Sequence, residues 1–164
     1  MADAIDVAVL MGSENDWTIM KAAVDTLKEY GVSCEARVLS AHRTPAELAQ
    51  YVCEADAAGT RVFIAAAGMA AHLAGAVAAQ TTRPVLGVPL AAGELNGLDA
   101  LLSTVQMPPG IPVGTLAIGK AGAINAALLA ISILANERPE LADKLRAARQ
   151  KRAAQILASA LQSS

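Results

Sequence analysis

The stretch Val62-Phe63-Ile64-Ala65-Ala66-Ala67-Gly68-Met69-Ala70-Ala71-His72-Leu73-Ala74-Gly75-Ala76-Val77-Ala78-Ala79 decides how this chain folds. Its only polar side chain is His72, and its length alone would suit a membrane span. Its internal order argues against one. β-Branched and aromatic residues come first, Gly68 interrupts, and an Ala-rich run punctuated by Gly75 follows. That is a buried strand turning into a buried helix. A strand with no polar alternation is covered on both faces, as in a parallel sheet.

Working outward, apolar runs recur at residues 7–11, 34–39, 85–88 and 113–118, and the same reading makes each a covered parallel strand. Helix-length segments separate most of them. Residues 16–30 are amphipathic and stop at Gly31, a C′ residue. Thr44-Pro45-Ala46-Glu47 reads as a capping box with Pro at the first helical position, opening a helix that ends near Gly59. Further helices are expected over 72–81, 98–106 and 121–136. The proline-rich stretch 107–112 is stiff loop, and beyond Pro139 a charged, more exposed helix covers 140–159. Alternating strands and helices specify an α/β fold: a three-layer, doubly wound parallel sheet in the flavodoxin-like order 2-1-3-4-5, with a C-terminal helical extension. The expected organisation is one catalytic domain over 1–164, with the α/β core at 1–136 and the extension at 137–164.

Composition narrows the function. Thirteen basic and fifteen acidic residues give a net charge of −2, which points to neither a nucleic-acid nor an anionic-membrane partner. The start is acidic where a signal peptide would be basic, so a cytoplasmic location is expected. Cys34 and Cys53 match no metal or redox spacing and read as small buried hydrophobes. The apolar fraction is 54% with almost no aromatics, so the interior must be Ala, Val, Leu and Ile. Helices this rich in Ala are expected to be buried on more than one face, which a small domain achieves by forming a homo-oligomer.

In an open parallel sheet, ligands bind beyond the carboxyl ends of the strands where strand order reverses. The loops there are Gly12-Ser13-Glu14-Asn15-Asp16, Ser40-Ala41-His42-Arg43 and Gly68-Met69-Ala70-Ala71-His72. Both histidines of the chain therefore converge on one crevice. Gly12, Ser13 and the amides beside Asn15 form a seat for an anion, without the glycine and lysine pattern of a nucleoside-triphosphate or dinucleotide loop. Asp16 either caps the following helix or accepts hydrogen bonds from ribose hydroxyls, and its local context favours capping. Arg43 can grip a phosphate in fork geometry, and His42 can exchange a proton near neutral pH. His72, in apolar surroundings, reads as a binding residue or a pocket wall. Met69 and Leu73 could roof a small apolar niche. No Cys, His or Asp cluster has metal-ligand spacing, the third strand ends without the acid a receiver domain needs, and only Trp17 could wall a flavin. A site for a phosphorylated small molecule, with neither cofactor nor metal, is what these residues suggest.

Together Gly12-Ser13-x-x-Asp16-Trp17, Ser40-Ala41-His42-Arg43-Thr44-Pro45 and Ala71-His72-Leu73 resemble the signature loops of the PurE family, which acts on aminoimidazole ribonucleotides. The similarity continues through 84–89, 97–108, Ala117-Ile118-Gly119 and 125–130, spanning roughly residues 5 to 135. It implies an isomerase of purine biosynthesis that converts N5-carboxyaminoimidazole ribonucleotide to the 4-carboxy isomer. The alternative is the family's other branch, a direct carbon dioxide-dependent carboxylase; Ala-Ala-His-Leu looks like the mutase branch. By position, the resemblance makes His42 the general acid–base. It places Ser13, Asp16 and Arg43, with Gly12 and Asn15, around the ribose phosphate, and Ser40, Gly68, His72 and Leu73 around the base and carboxylate. It also implies a homo-octamer. Three residues depart from the pattern: Asn15 where Ser is common, Met69 where Gly is frequent, and Ala74 where Pro is frequent.

Overall fold

A computed structural model describing residues 5–159 contains five strands, β1 (Val7–Met11), β2 (Cys34–Val38), β3 (Val62–Gly68), β4 (Val85–Leu90) and β5 (Gly114–Thr115). They form one parallel sheet in the order β2-β1-β3-β4-β5, as expected. The acidic opening at 1–4 and the end of the extension at 160–164 lie outside the described residues. The helices are α1 (Trp17–Glu29), α2 (Pro45–Ala57), α3 (Leu73–Ala78), α4 (Leu98–Val105), α5 (Lys120–Leu134) and α6 (Pro139–Ala158).

The two faces of the sheet divide the core. Val7, Val9 and Met11 of β1 point with Val62, Ile64 and Ala66 of β3 towards α1 and α5. Ala8, Leu10, Phe63 and Ala65 point the other way, to α2 and α3. Every one of these side chains is buried, so the two-residue period of the strands is invisible in their hydropathy. Small residues set the spacing. A side chain at Gly87 would lie 2.4 Å from Cγ2 of Thr104, so β4 and α4 approach as closely as they do only because no Cβ is there.

Four expectations need correction. Strand β2 is not covered on both faces: it is an edge strand, half-buried at Cys34 and Glu35 and exposed from Ala36 to Val38, and carries Glu35 and Arg37 as charges that guard an unpaired edge. The fifth run forms a ladder only at Gly114–Thr115; beyond it Leu116 and Gly119 still donate to the Gly87 and Pro89 carbonyls, but outside strand geometry. The Thr44 capping box does not form. Its hydroxyl instead accepts from the Ser40 amide at 2.9 Å and faces the Ser40 carbonyl, closing the loop before α2. Finally, Cys53 is exposed because it lies off the buried stripe of α2, and Cys34, though packed against the core, is only half-buried because it stands on the edge strand.

Helix α6 is the exposed extension the sequence suggested, anchored mainly at its start. Leu141 is buried, Lys144 Nζ donates to the Tyr30 carbonyl at 2.8 Å, and Arg138, just before the helix, pairs with Asp6 through both guanidinium nitrogens. No helix among the described residues is long and apolar enough to cross a membrane.

Candidate active site

Strands β1, β2 and β3 are neighbours, so the loops leaving their carboxyl ends must meet. They enclose a crevice of about 340 Å³ lined by Gly12, Ser13, Asn15, Asp16, Ser40, His42, Arg43, Gly68, His72 and Leu73. All ten residues singled out from the sequence are therefore brought together. Ala41, Ala67, Met69, Ala70 and Ala92 complete the wall.

The first loop is a short 3-10 turn, Glu14–Asp16, held by a capping box. Ser13 Oγ accepts from the Asn15 amide at 3.3 Å, and Asp16 Oδ2 accepts from the Ser13 amide at 3.0 Å. Asp16 thus closes the 3-10 turn; it stands at the N-cap of α1, but its side chain makes no capping bond to that helix, contrary to the expectation, because the Ser13 amide already holds it. Burial raises its carboxyl above the ordinary value, while the amides of Ser13 and Gly12 and the charge of Arg43 pull the other way.

The second loop is tied to the first. Arg43 Nη2 donates to the Gly12 carbonyl at 3.0 Å, and Arg43 Nε faces Ser40 Oγ at 3.4 Å. A guanidinium carries five N–H donors. Among the described residues Nη1 makes no hydrogen bond, so that edge is available to an anion over the first turn.

The third loop begins where β3 ends. A Cβ on Gly68 would sit 2.8 Å from Ala92 Cβ and 3.2 Å from the Leu90 carbonyl, so glycine lets the loop after β4 close over the crevice. Met69 follows with φ 55°, a left-handed conformation that non-glycine residues rarely adopt. This accounts physically for the frequent glycine that the resemblance places there. Ala74 is the second residue of α3, where an amide has no intrahelical partner, so a proline there would cost the helix no hydrogen bond.

The site's defining contact joins the second and third loops. His42 Nε2 lies 2.7 Å from His72 Nδ1, the rings meeting edge to face at an interplanar angle of 70°. His72 is therefore more than pocket wall: it is hydrogen-bonded to the residue read as the acid–base. Among the described residues, no three His, Cys, Asp or Glu side chains are grouped as metal ligands.

Sequence reasoning missed two contributors. Ala92 comes from the loop after β4, which held no recognisable pattern. Ser103 stands behind the third loop, accepting from the Ala71 amide at 3.0 Å. A signal for it existed: Ser103 and Thr104 are adjacent hydroxyl residues within a helix, a position such residues do not favour on local grounds.

The AIR carboxylase family model matches residues 6–155. The chain belongs to the AIR carboxylase family. Among relatives of this family member, the N5-carboxyaminoimidazole ribonucleotide mutase of Saccharolobus solfataricus is 59% identical over 140 residues, 85% of this chain and 87% of the relative. The protein of the same name from Brucella melitensis is 56% identical over 142 residues, 87% of this chain and 88% of its own. The crystal structure of Treponema denticola PurE superimposes with a TM-score of 0.84 at 28% identity, covering 92% of this chain and 93% of that one. The family expected from the three loops is thus the one to which the chain belongs.

Proposed function

We propose that this AIR carboxylase family member is an N5-carboxyaminoimidazole ribonucleotide mutase of purine biosynthesis, an isomerase that moves a carboxylate from the exocyclic nitrogen to carbon 4. The observation that carries the reading is the placement of His42, paired with His72, in a crevice whose other end is an amide-rich turn bridged by Arg43. The mutase names of relatives more than half identical to the chain support it.

Within this reading, Gly12, Ser13, Asn15 and Arg43 hold the phosphate and Asp16 lies beside the ribose. Ser40, Gly68, His72 and Leu73 surround the base and the moving carboxylate. His42 protonates the exocyclic nitrogen as its bond to the carboxylate breaks, which frees carbon dioxide and an amine. Carbon 4 of the electron-rich ring then attacks the trapped carbon dioxide. The same histidine, now a base, removes the carbon 4 proton and restores the aromatic ring. One proton is given and one recovered, and the carboxyl carbon keeps its oxidation state, so the balanced reaction calls for no redox cofactor. The gain comes from proximity: gas that escapes must be recaptured in a bimolecular step, whereas gas held at van der Waals distance need not be.

We further propose a homo-octamer in the cytoplasm, built from one catalytic domain per chain, whose partner is the small ribonucleotide and neither nucleic acid nor membrane. Leu95, Leu98, Leu102 and Val105 are each about half exposed, and Ile118 a third, along α4 and its flanks. A contiguous apolar surface of this kind favours burial against another copy.

A label-retention assay tests the reaction. The N5-carboxylated ribonucleotide carries a labelled carboxylate, in buffer with excess unlabelled bicarbonate. Label retained on carbon 4 is the expected result. Mostly unlabelled product would replace this reading with the direct carboxylase, and no product above background would leave a binding protein.

A further inference from the structure

The segment Leu101-Leu102-Ser103-Thr104 belongs to the sequence pattern shared with the family, yet nothing in the proposed reaction uses it. Its polar residues face inward. Thr104 is buried, with its hydroxyl on the Ala100 carbonyl at 2.7 Å and its methyl group over Gly87, and this seats α4 on the sheet. Ser103 has a different outlook. Its hydroxyl donates within the helix to the Asp99 carbonyl at 2.7 Å, so its lone pairs turn towards the third loop, where Oγ accepts the Ala71 amide at 3.0 Å.

That loop needs an external hold. It contains Met69 in the left-handed region, and it leads into a helix of only six residues whose N-cap, His72, makes no side-chain capping bond. The Ala71 amide lies just before the N-cap, outside the hydrogen bonds of the helix itself. Ser103 supplies its partner from a different element. The residue after Ala71 is His72, whose Nδ1 meets His42 at 2.7 Å. The His42 side of the pair is fixed independently: Ser40 and Thr44 close its loop, and the Arg43 amide reaches Ser40 Oγ at 3.2 Å.

We propose that Ser103 is a positioning residue for the proposed mutase reaction, holding the Ala71 amide so that His72 stays in register with His42. Its kinetic consequence rests on the mutase reading; its effect on the histidine pair does not. A 1 Å displacement arising away from the chemistry can cost up to about a hundredfold in rate. A purely structural role of the hydroxyl would lower the folded fraction but leave the histidine pair and kcat of the folded protein unchanged, so the two roles separate experimentally.

The chain has two histidines, so 15N-histidine spectra of untagged protein report this pair alone. Spectra are recorded at one fixed pH, because Asp16 and Arg43 also face the crevice. Wild type is expected to show ring nitrogens of a mutually hydrogen-bonded pair. Ser103→Ala is expected to lose that signature and to lower kcat about tenfold or more, with the ribonucleotide KM within about twofold of wild type. Ser103→Thr, which keeps the hydroxyl, should restore both. Should the alanine variant not fold, Ser103→Cys, with a poorer acceptor of similar size, is read in the same way. Wild-type ring signals and kcat in the variant, or a rate loss that only tracks its folded fraction, would overturn the proposal. A wild-type protein that does not convert the ribonucleotide would instead overturn the mutase reading, while the ring signals still decide the role of Ser103.

Discussion

Nε2 of His42 and Nδ1 of His72 face each other across 2.7 Å, from loops thirty residues apart in the chain. Only one proton fits on the line between them, so the two rings must share their tautomers: whichever nitrogen donates, the other presents a lone pair. His42, the proposed acid–base group, is therefore oriented by its partner through this contact.

His42→Asn should nearly abolish label transfer to carbon 4 while leaving ribonucleotide binding within severalfold of wild type. Turnover by rapid quench and affinity by calorimetry check the two halves separately. Near-normal turnover would remove His42 from the reaction.

Arg43→Ala should act in the opposite way, through binding. Loss of a charge-assisted phosphate contact costs roughly 1.5–3 kcal/mol, about tenfold or more in affinity. Because Arg43 Nη2 also ties the first loop to the second through the Gly12 carbonyl, Arg43→Lys should recover only part of the loss. Calorimetric titration at constant salt makes the measurement, and unchanged affinity in Arg43→Ala would contradict the role.

Met69 sits at φ 55°, so the side chain there works against its own backbone. The left-handed conformation costs an L residue roughly 1–2 kcal/mol, and glycine returns roughly 0.4–1 kcal/mol of that through unfolded-chain entropy. Met69→Gly should therefore raise stability by up to about 1 kcal/mol, whereas Met69→Val, branched at Cβ, should lower it by about 1 kcal/mol or more. Chemical denaturation at one fixed protein concentration orders the three proteins.

Asp6 binds the α6 entry through Arg138 and also accepts from Ser33 Oγ at 2.8 Å, and the Arg138 hydrogen bond holds its carboxyl below the ordinary value of 3.8. A depressed folded-state value means that the ionised carboxylate stabilises the fold above pH ~3.8 and that this contribution disappears as pH falls through the lowered value. Asp6→Asn should lose about 1–2 kcal/mol at neutral pH, and its deficit should shrink towards pH 2. Denaturation curves at several pH values test this; a deficit independent of pH would assign the effect to packing.

Much of the fold is legible in the residues themselves. The strands β1, β3 and β4, the order of the sheet and the meeting of three loops all follow from short apolar runs, glycine breaks and the strand–helix alternation of a doubly wound sheet. Residues 34–38 are harder to read. Glu35 and Arg37 do mark an edge, and the expected strand order places β2 there, but reading the run 34–39 simply as apolar makes it a strand covered on both faces. Thr44 illustrates a limit of local pattern: its motif suits a capping box, but the Ser40 backbone, four residues earlier, competes for the same hydroxyl and wins.

Local pattern and chain order are enough to specify the fold class and the ten residues that line the crevice, since they set where strands end and where strand order reverses. Two further facts belong to the tertiary structure alone: that His42 and His72 touch, and that Ser103 on α4 grips the loop bearing His72. They depend on how closely separately formed loops and helices come to rest against one another. Hydrogen bonds are satisfied or lost over a few tenths of an ångström, and no local pattern of residues encodes a separation that fine.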